Sequence, residues 1–180
     1  MRRALYSTRH SWADRTAAEV KGLGRRAAAV PTDVTSRADL ANMVDRAKAE
    51  FGRIDILVNN AGIYRAASTL EITEEHWDSV MTINAKAVFF ASQAVLPTMI
   101  AQKSGAIVSL ASMAGRIGSV ANLPYNASKA AVISMTKSLA LAHAADAATP
   151  AGHDGDLSFQ LHGDSPSCLA TARVAAAHVA

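Results

Sequence analysis

Short apolar runs alternate with long amphipathic stretches along this chain, and this alternation constrains the fold more than any other feature. Three nearly continuous apolar runs are typical of parallel strands covered on both faces: residues 27–31, 54–62 and 105–112. A weaker candidate strand at residues 3–7 opens the chain. Because helical patterns lie between the runs, the sequence predicts βαβ units in an open, doubly wound parallel α/β sheet.

The helical patterns carry their own start and stop signals. The first, from Ser36 to Gly52, has Asp39 three residues after the serine, which indicates a capped helix that ends at glycine. A second begins near Thr73 and continues past Pro97, where a kink or a break is expected. A third runs from about residue 124 or 125 to residue 143.

One glycine-rich stretch imitates a cofactor motif. Residues 22–27, GLGRRA, fit the spacing G-x-G-x-x-A, but a helical pattern (residues 13–24) precedes them and a strand follows. A dinucleotide-binding loop needs the reverse order, with the helix N-terminus at the pyrophosphate. The stretch is therefore predicted to be a helix stop.

Composition excludes several classes of protein. The net charge of +3 is too small to indicate a nucleic-acid partner, and no apolar run reaches the length of a membrane span. Cys168 is the single cysteine and the six histidines show no ligand spacing, so no disulfide or metal site is predicted. An Arg- and Ala-rich start permits a transit peptide, but an amphipathic helix explains it better. A soluble, cytoplasmic chain is expected.

The character of the chain changes at about residue 145. The remainder has no lysine and no glutamate, and poor order is expected there. Residues 157–161 form a candidate strand and residues 168–180 a weak candidate helix. We expect one α/β domain over residues 1–144 and a divergent tail over 145–180.

Tyr125 and Lys129 are separated by four positions in the third helix, so their side chains leave one face of it. An ammonium beside a phenol favours the phenolate, which makes Tyr125 a candidate general acid and base. Such a pair also occurs on solvated helix faces. Here Val132, Thr136 and Leu139 continue the same face, which predicts that it is turned inward.

Two further polar residues fall at predicted positions of interest. Ser112 ends a predicted core strand, at the edge of the sheet where ligands bind in such folds. Asn84 lies on an otherwise apolar helix stripe, where an amide is costly unless it is hydrogen-bonded. Either it ties the helix to a strand backbone, or it also anchors a water that relays protons to Lys129. The two interpretations are compatible.

Taken together, the segment 59–62 (NNAG), Asn84, Ser112 and the Tyr125/Lys129 pair closely resemble the short-chain dehydrogenase/reductase family in order and spacing. Residues 32–35, TDVT, resemble its segment beside the adenine, and the match covers about residues 1–144. The resemblance implies a Rossmann-like fold and an NAD(P)-dependent oxidoreductase acting on a carbonyl or secondary alcohol. It implies that the tyrosine transfers the proton, the serine holds the substrate oxygen, the lysine binds the nicotinamide ribose and the asparagine anchors a water relay.

The resemblance also implies a set of cofactor contacts. Beside Tyr125 and Lys129, they are Arg9, Asp33, Val34, Asn59, Ala61 and Gly62. Residues 6–10, YSTRH, contain a basic residue and no acid, which favours NADP(H) over NAD(H) because an acid would select the ribose hydroxyls of NAD.

The sequence departs from the family pattern at both ends. The glycine-rich turn that opens family members is not found, and the chain after residue 143 resembles none of their later elements. We therefore expect an incomplete fold, truncated or shifted in reading frame. The alternative function is a non-catalytic remnant, a dimerising scaffold or a gene fragment, while a methyltransferase-like nucleotide fold would leave the four-residue constellation unexplained. Homo-oligomerisation through helices at about 74–102 and 125–143 is possible in either case. A 3-oxoacyl thioester, a sugar or a steroid would all be consistent as substrate.

Overall fold

A computed structural model of the chain describes residues 3–6, 10–120, 122–143, 157–162 and 171–174. Its contacts divide the chain into two compact units, Met1–Ile54 and Asp55–Ala180. The predicted boundary at residue 144 therefore does not coincide with the division between these units. The separation into a domain over 1–144 and a tail over 145–180 stays a prediction.

The first unit is a βαβ unit followed by a second helix. Its elements are β1 (Arg3–Tyr6), α1 (His10–Gly22), β2 (Ala27–Val30) and α2 (Arg37–Phe51). The two strands are parallel, with Arg3 opposite Ala27 and Tyr6 opposite Val30. The predicted strands at residues 3–7 and 27–31 are thus confirmed.

The glycine-rich stretch at residues 22–27 ends a helix, as predicted. Helix α1 ends at Gly22, and Gly24 adopts the left-handed conformation with a φ of 70°. The Arg25 amide then donates to the carbonyl of Val20 at 3.2 Å, which closes the helix end. Strand β2 begins two residues later, so no helix N-terminus follows this loop.

Helix α2 has both predicted caps. The Ser36 hydroxyl accepts a hydrogen bond from the Asp39 amide and donates one to the Asp39 carboxylate. At the other end, Gly52 has a φ of 80° and its amide donates to the carbonyl of Lys48 at 2.7 Å. The buried face of this helix consists of Leu40, Met43, Val44, Ala47 and Phe51.

The second unit contains a four-stranded sheet and three longer helices. Its strands are β3 (Ile56–Asn59), β4 (Gly105–Leu110), β5 (Leu157–His162) and β6 (Thr171–Val174), in that spatial order. Its helices are α3 (Glu74–Met81), α4 (Ala87–Gln102) and α5 (Leu123–Ala142), with short 3₁₀ turns at Thr69–Glu71 and Met113–Gly115. Strands β3, β4 and β5 are parallel.

The later part of the chain corrects one prediction and confirms another. The candidate strand at 157–161 is confirmed as β5, which pairs with β4. The candidate helix at 168–180 is wrong over residues 171–174, because these residues form β6, antiparallel to β5. The expectation of poor order, and Cys168, lie outside the described residues.

A π-helical turn, which no sequence pattern predicts, joins α3 to α4. Thr73 caps the start of α3 with its hydroxyl, and the turn over Thr82–Lys86 places buried Asn84 between the two helices. Helix α4 continues through Pro97 to Gln102, so a break does not occur. The prediction that no segment is long and apolar enough to span a membrane needs correction, because the helical segment Glu74–Gln102 meets both criteria. It is weak evidence for a membrane span, because half of its apolar window is buried in the protein, as in the core helix of a soluble protein.

The core of the second unit is close-packed where α4 crosses β4. Met99 is fully buried, and a Cβ added to Gly105 would lie 2.5 Å from its Cγ. Only a glycine therefore allows the helix to approach the strand this closely. Val80, Val95 and Val132 are likewise buried and line the inward stripes that the sequence predicts.

Candidate active site

Helix α5 carries the Tyr125/Lys129 pair on its inward face. Lys129 is only 7% exposed, and its ammonium donates a hydrogen bond to the carbonyl of Leu110, the last residue of β4, at 2.6 Å. The Lys129 Nζ lies 5.6 Å from the centroid of the Tyr125 ring. Because Val132 and Thr136 are also buried, the predicted inward orientation of this face is confirmed.

Ser112 is buried just beyond the end of β4. Its hydroxyl accepts a hydrogen bond from the Ala114 amide at 3.2 Å and thereby caps the 3₁₀ turn over Met113–Gly115. Gly115 brings this turn against α5, because an added Cβ would lie 2.6 Å from the backbone carbon of Lys129. The turn that begins at Ser112 is thus fixed to the helical turn that carries the lysine. Gly115 was not predicted as a site residue, and its one sequence signal is its position three residues after a strand-end serine.

Asn84 is completely buried, and both polar atoms of its side chain are hydrogen-bonded. Its Oδ1 accepts from the Ile63 amide at 2.8 Å, while its Nδ2 donates to the Ile63 carbonyl at 2.9 Å and to the Ser128 hydroxyl at 3.2 Å. The prediction that it ties the helix to a strand backbone needs correction, because Ile63 lies in the loop after β3. Ser128, which donates to the Tyr125 carbonyl at 2.7 Å, was missed by the sequence analysis.

Gly62 lies between the asparagine and the lysine. A Cβ at this position would lie 3.3 Å from the Asn84 Oδ1 and 3.9 Å from the Lys129 Nζ. The loop after β3, the π-helical turn and helix α5 therefore meet at one place. Three of the residues singled out in the sequence, Gly62, Asn84 and Lys129, lie together there.

Asn59 has a different environment from its neighbours in the NNAG segment. Its buried amide donates to the hydroxyls of Ser92 on α4 and Ser109 on β4, at 3.2 and 3.1 Å. The side chain therefore joins β3 to the adjacent helix and strand. Ala61 and Gly62 are exposed in the loop that follows. A contact of any of the three with a cofactor stays a prediction.

The remaining predicted cofactor residues belong to the first unit. Asp33 is exposed, and hydrogen bonds from the backbone amide and hydroxyl of Thr35 hold the pKa of its carboxyl below the ordinary value of 3.8. Val34 is half-buried beside it, whereas Arg9 lies outside the described residues. A cavity of about 540 Å³ in this unit is bordered by Lys21, Arg25 and Arg46 and contains none of the predicted site residues.

Tyr64, which was not predicted as a site residue, is a neighbour of Tyr125. Its ring is 62% exposed and packs edge-to-face against Tyr125, with centroids 5.1 Å apart and an interplanar angle of 72°. Within the part of the chain that the structure describes, no group of three or more His, Cys, Asp or Glu side chains is placed to hold a metal ion.

The family model described as short chain dehydrogenase matches residues 1–149. This chain therefore belongs to the short-chain dehydrogenase family, and its fold is an incomplete Rossmann-like α/β sheet.

Curated relatives and solved structures agree with this family. A 3-oxoacyl-[acyl-carrier-protein] reductase of Thermotoga maritima is 43% identical over 68% of this chain and 50% of its own length. A 2-dehydro-3-deoxy-D-gluconate 5-dehydrogenase of Escherichia coli is 44% identical over 69% of this chain and 50% of its own length. The chain thus spans about half the length of the curated relatives it matches.

Among solved structures, a short-chain dehydrogenase/reductase from Burkholderia phymatum in complex with NAD is similar to this chain. The TM-score is 0.82 at 29% identity, over 91% of this chain and 56% of that protein. A short-chain type dehydrogenase/reductase from Mycobacterium marinum gives a TM-score of 0.77 at 32% identity, over 81% of this chain and 60% of that one.

Proposed function

We propose that this chain is an NAD(P)-dependent oxidoreductase that interconverts a carbonyl compound and a secondary alcohol, with Tyr125 as general acid and base. The observation that carries the proposal is the buried ammonium of Lys129, which the Leu110 carbonyl holds 5.6 Å from the Tyr125 ring. The ammonium can stabilise negative charge that develops on the neighbouring tyrosine as its proton is transferred.

Each of four residues has its own role in the proposed carbonyl reduction: Asn84, Ser112, Tyr125 and Lys129. When bound, the nicotinamide would supply the hydride for the carbonyl carbon. The Tyr125 hydroxyl gives its proton to the carbonyl oxygen, and the Ser112 hydroxyl donates a hydrogen bond to that oxygen as negative charge develops on it. A proton returns to Tyr125 through water held near Asn84 and Lys129. Oxidation of the alcohol reverses each transfer.

The residues at Gly62 fit a cofactor in this unit. Gly62 is exposed and carries no side chain, so a ligand can approach its backbone close to Asn84 and Lys129. Lys129 and Tyr125 would hold the nicotinamide ribose, and residues 59–62 would line the same end of the cofactor. Asp33 and Val34 would contact the adenine. The proposal favours NADP(H) over NAD(H), because Arg9 can pair with a ribose phosphate and no acid occurs in residues 6–10.

Replacement of Tyr125 by phenylalanine tests the assigned chemistry. NADPH oxidation is followed at the nicotinamide absorbance with a panel of ketones, and cofactor binding is measured separately by nicotinamide fluorescence. We expect the Tyr125→Phe variant to lose at least about 100-fold in kcat and to bind NADPH within twofold of the wild type.

The outcomes separate the two candidate functions. Unchanged turnover in Tyr125→Phe would contradict the role of the tyrosine. A folded chain that binds neither NADPH nor NADH would favour the alternative of a non-catalytic remnant. The cofactor preference has its own test, because an Arg9→Glu variant should lose affinity for NADPH and keep its affinity for NADH.

A homo-oligomer built through residues 74–102 and 125–143 is part of the proposal. The support is the apolar character of these helices, including the half-buried ring pair of Phe89 and Phe90, whose centroids lie 5.2 Å apart. Sedimentation velocity across a range of protein concentrations measures this directly. A single monomeric species at all concentrations would contradict it. The proposal includes no nucleic-acid or membrane partner, and a cytoplasmic location stays a prediction.

A further inference from the structure

Tyr64 has an exposed ring, but the backbone on both sides of it is anchored. It lies in the connection between β3 and α3. On one side, the amide and the carbonyl of Ile63 are both hydrogen-bonded to the side chain of buried Asn84, at 2.8 and 2.9 Å. On the other side, the Arg65 carbonyl lies 3.2 Å from the Nε2 of His76 on α3, which donates to it when that nitrogen carries the proton. These contacts fix the point from which the Tyr64 side chain projects.

The anchored loop places the Tyr64 ring against the ring of Tyr125. The two centroids are 5.1 Å apart and the planes meet at 72°, which is the edge-to-face arrangement that aromatic pairs favour. Asn84 connects the same two segments by a second route. Its Nδ2 also donates to the Ser128 hydroxyl, which in turn donates to the Tyr125 carbonyl. The loop and helix α5 are thus joined through the two rings and through a chain of hydrogen bonds.

The orientation of the Tyr125 ring matters because a general acid must come within about 2.6–3.2 Å of the atom that it protonates. Helix α5 fixes the backbone of Tyr125, but side-chain torsions still decide where its hydroxyl lies. The residue is only half-buried, so close packing on all sides does not restrain the ring. Two neighbours contact it instead: the Lys129 Nζ, from the same helix, lies 5.6 Å from its centroid, and Tyr64 packs on it from the loop.

We propose, on the basis of the oxidoreductase function above, that Tyr64 is a positioning residue for Tyr125. Its ring holds the Tyr125 ring in the orientation from which the hydroxyl transfers its proton, and its own phenol takes no part in the transfer. The strength of an edge-to-face pair corresponds to a factor of about 2 to 10 in the population of the held orientation. Asn84 then has a role beside the proposed water relay, because it anchors the loop that carries Tyr64.

Three variants separate packing of the ring from other roles. Tyr64→Phe keeps the ring and removes the hydroxyl, whereas Tyr64→Leu removes the ring and keeps an apolar side chain. Leu70→Ala is the control, because Leu70 lies in the same connection between β3 and α3 and is 98% exposed. For each variant, kcat is measured with the ketone that the wild type reduces fastest, and the Kd of NADPH is measured by nicotinamide fluorescence. We expect Tyr64→Leu to lower kcat about 2- to 10-fold with an unchanged Kd, and the other two variants to keep both wild-type values.

A second measurement does not depend on turnover or on cofactor. The chain contains three tyrosines, so the NMR signals of the Tyr125 ring can be assigned in a tyrosine-labelled sample by comparison with Tyr125→Phe. In the wild type, the ring current of Tyr64 should displace these signals from the values of free tyrosine. Tyr64→Phe should preserve the displacement, because the ring remains, and Tyr64→Leu should remove most of it.

An unchanged kcat in Tyr64→Leu would overturn the inference. So would an equal loss of kcat in Tyr64→Phe, which would assign the effect to the hydroxyl, or Tyr125 signals that neither variant moves. An equal loss in Leu70→Ala would also overturn it, because the loop as a whole would then be responsible. Tyr125 signals that depend on the Tyr64 ring, in a chain that reduces no ketone with either nicotinamide cofactor, would contradict the proposed function and still support the packing.

Discussion

The contact of Gly115 with helix α5 predicts that a single methyl group will disturb the candidate active site. In a Gly115→Ala variant the new Cβ would lie 2.6 Å from the backbone carbon of Lys129, 2.7 Å from the Ala130 nitrogen and 2.9 Å from the Lys129 carbonyl oxygen. All three atoms belong to the helix backbone, which cannot rotate away as a side chain can.

The size of the effect follows from the distances. Non-bonded carbon atoms prefer separations of about 3.5–4.0 Å, so the 3₁₀ turn and the helix must separate by about 1 Å. Overpacking of this kind costs about 1–3 kcal/mol, which at a urea dependence of about 2 kcal/mol per molar lowers the midpoint of unfolding by about 0.5–1.5 M. Because Ser112 begins this turn, its hydroxyl moves relative to Lys129, and a displacement of about 1 Å can reduce turnover by about 100-fold.

The assay compares urea unfolding and ketone reduction for Gly115→Ala with those for Gly118→Ala. Gly118 is the matched control, because a Cβ added there meets no atom within 4 Å and its backbone is not left-handed. We expect the control to keep the wild-type midpoint and activity. Equal midpoints and equal turnover for the two variants would refute the argument that this contact fixes the serine against the helix.

Three further predictions follow from other contacts. Asn84→Leu should destabilise the chain by about 2–4 kcal/mol in urea unfolding, because the Ile63 amide and carbonyl both lose their partner, and an unchanged midpoint would contradict this. In an NMR titration the Asp33 carboxyl should show a lower pKa in the folded than in the unfolded chain. Its small contribution to stability is therefore present above about pH 3.8 and is lost as the pH falls through the lowered pKa. Thr35→Val should raise the pKa of Asp33, and equal pKa values in the wild type and this variant would exclude the effect. Arg26→Leu should lower the free energy of unfolding by about 1 kcal/mol, and by less at high salt. The half-exposed guanidinium donates to the Glu50 carbonyl and carboxylate and lies 5.3 Å from the centroid of the Phe51 ring. A variant as stable as the wild type would show that these contacts contribute nothing.

Local signals were sufficient to predict the positions of most elements. Ser36 and Gly52 bound a helix because a capping hydroxyl and a left-handed glycine act within one turn of the chain. The glycines at 22 and 24 end a helix for the same reason, and the order of helix and strand around them already excluded a phosphate loop. The strand at Leu157–His162 was also indicated by its run of residues.

Long-range pairing decided what these signals could not. Residues 171–174 form a strand because β5 offers them an edge to pair with, although their own pattern favours a helix. The π-helical turn over Thr82–Lys86 is likewise invisible in the sequence. This turn contains Asn84, whose side chain is hydrogen-bonded to the Ile63 backbone and to Ser128 on α5.

The sequence by itself determined the family. It also predicts that Asn84, Ser112, Tyr125 and Lys129 carry the chemistry, because each has a side chain suited to one task at a recognisable spacing. Only the tertiary structure decided how they are held. Gly115 contacts the backbone of Lys129, and Tyr64 packs edge-to-face on Tyr125. The Asn122 amide is buried without a hydrogen-bond partner among the described residues. Each of these environments is formed by segments that are distant in the sequence. These contacts depend on the distances between elements. Those distances are set by tertiary packing and cannot be read from the pattern of residues along the chain.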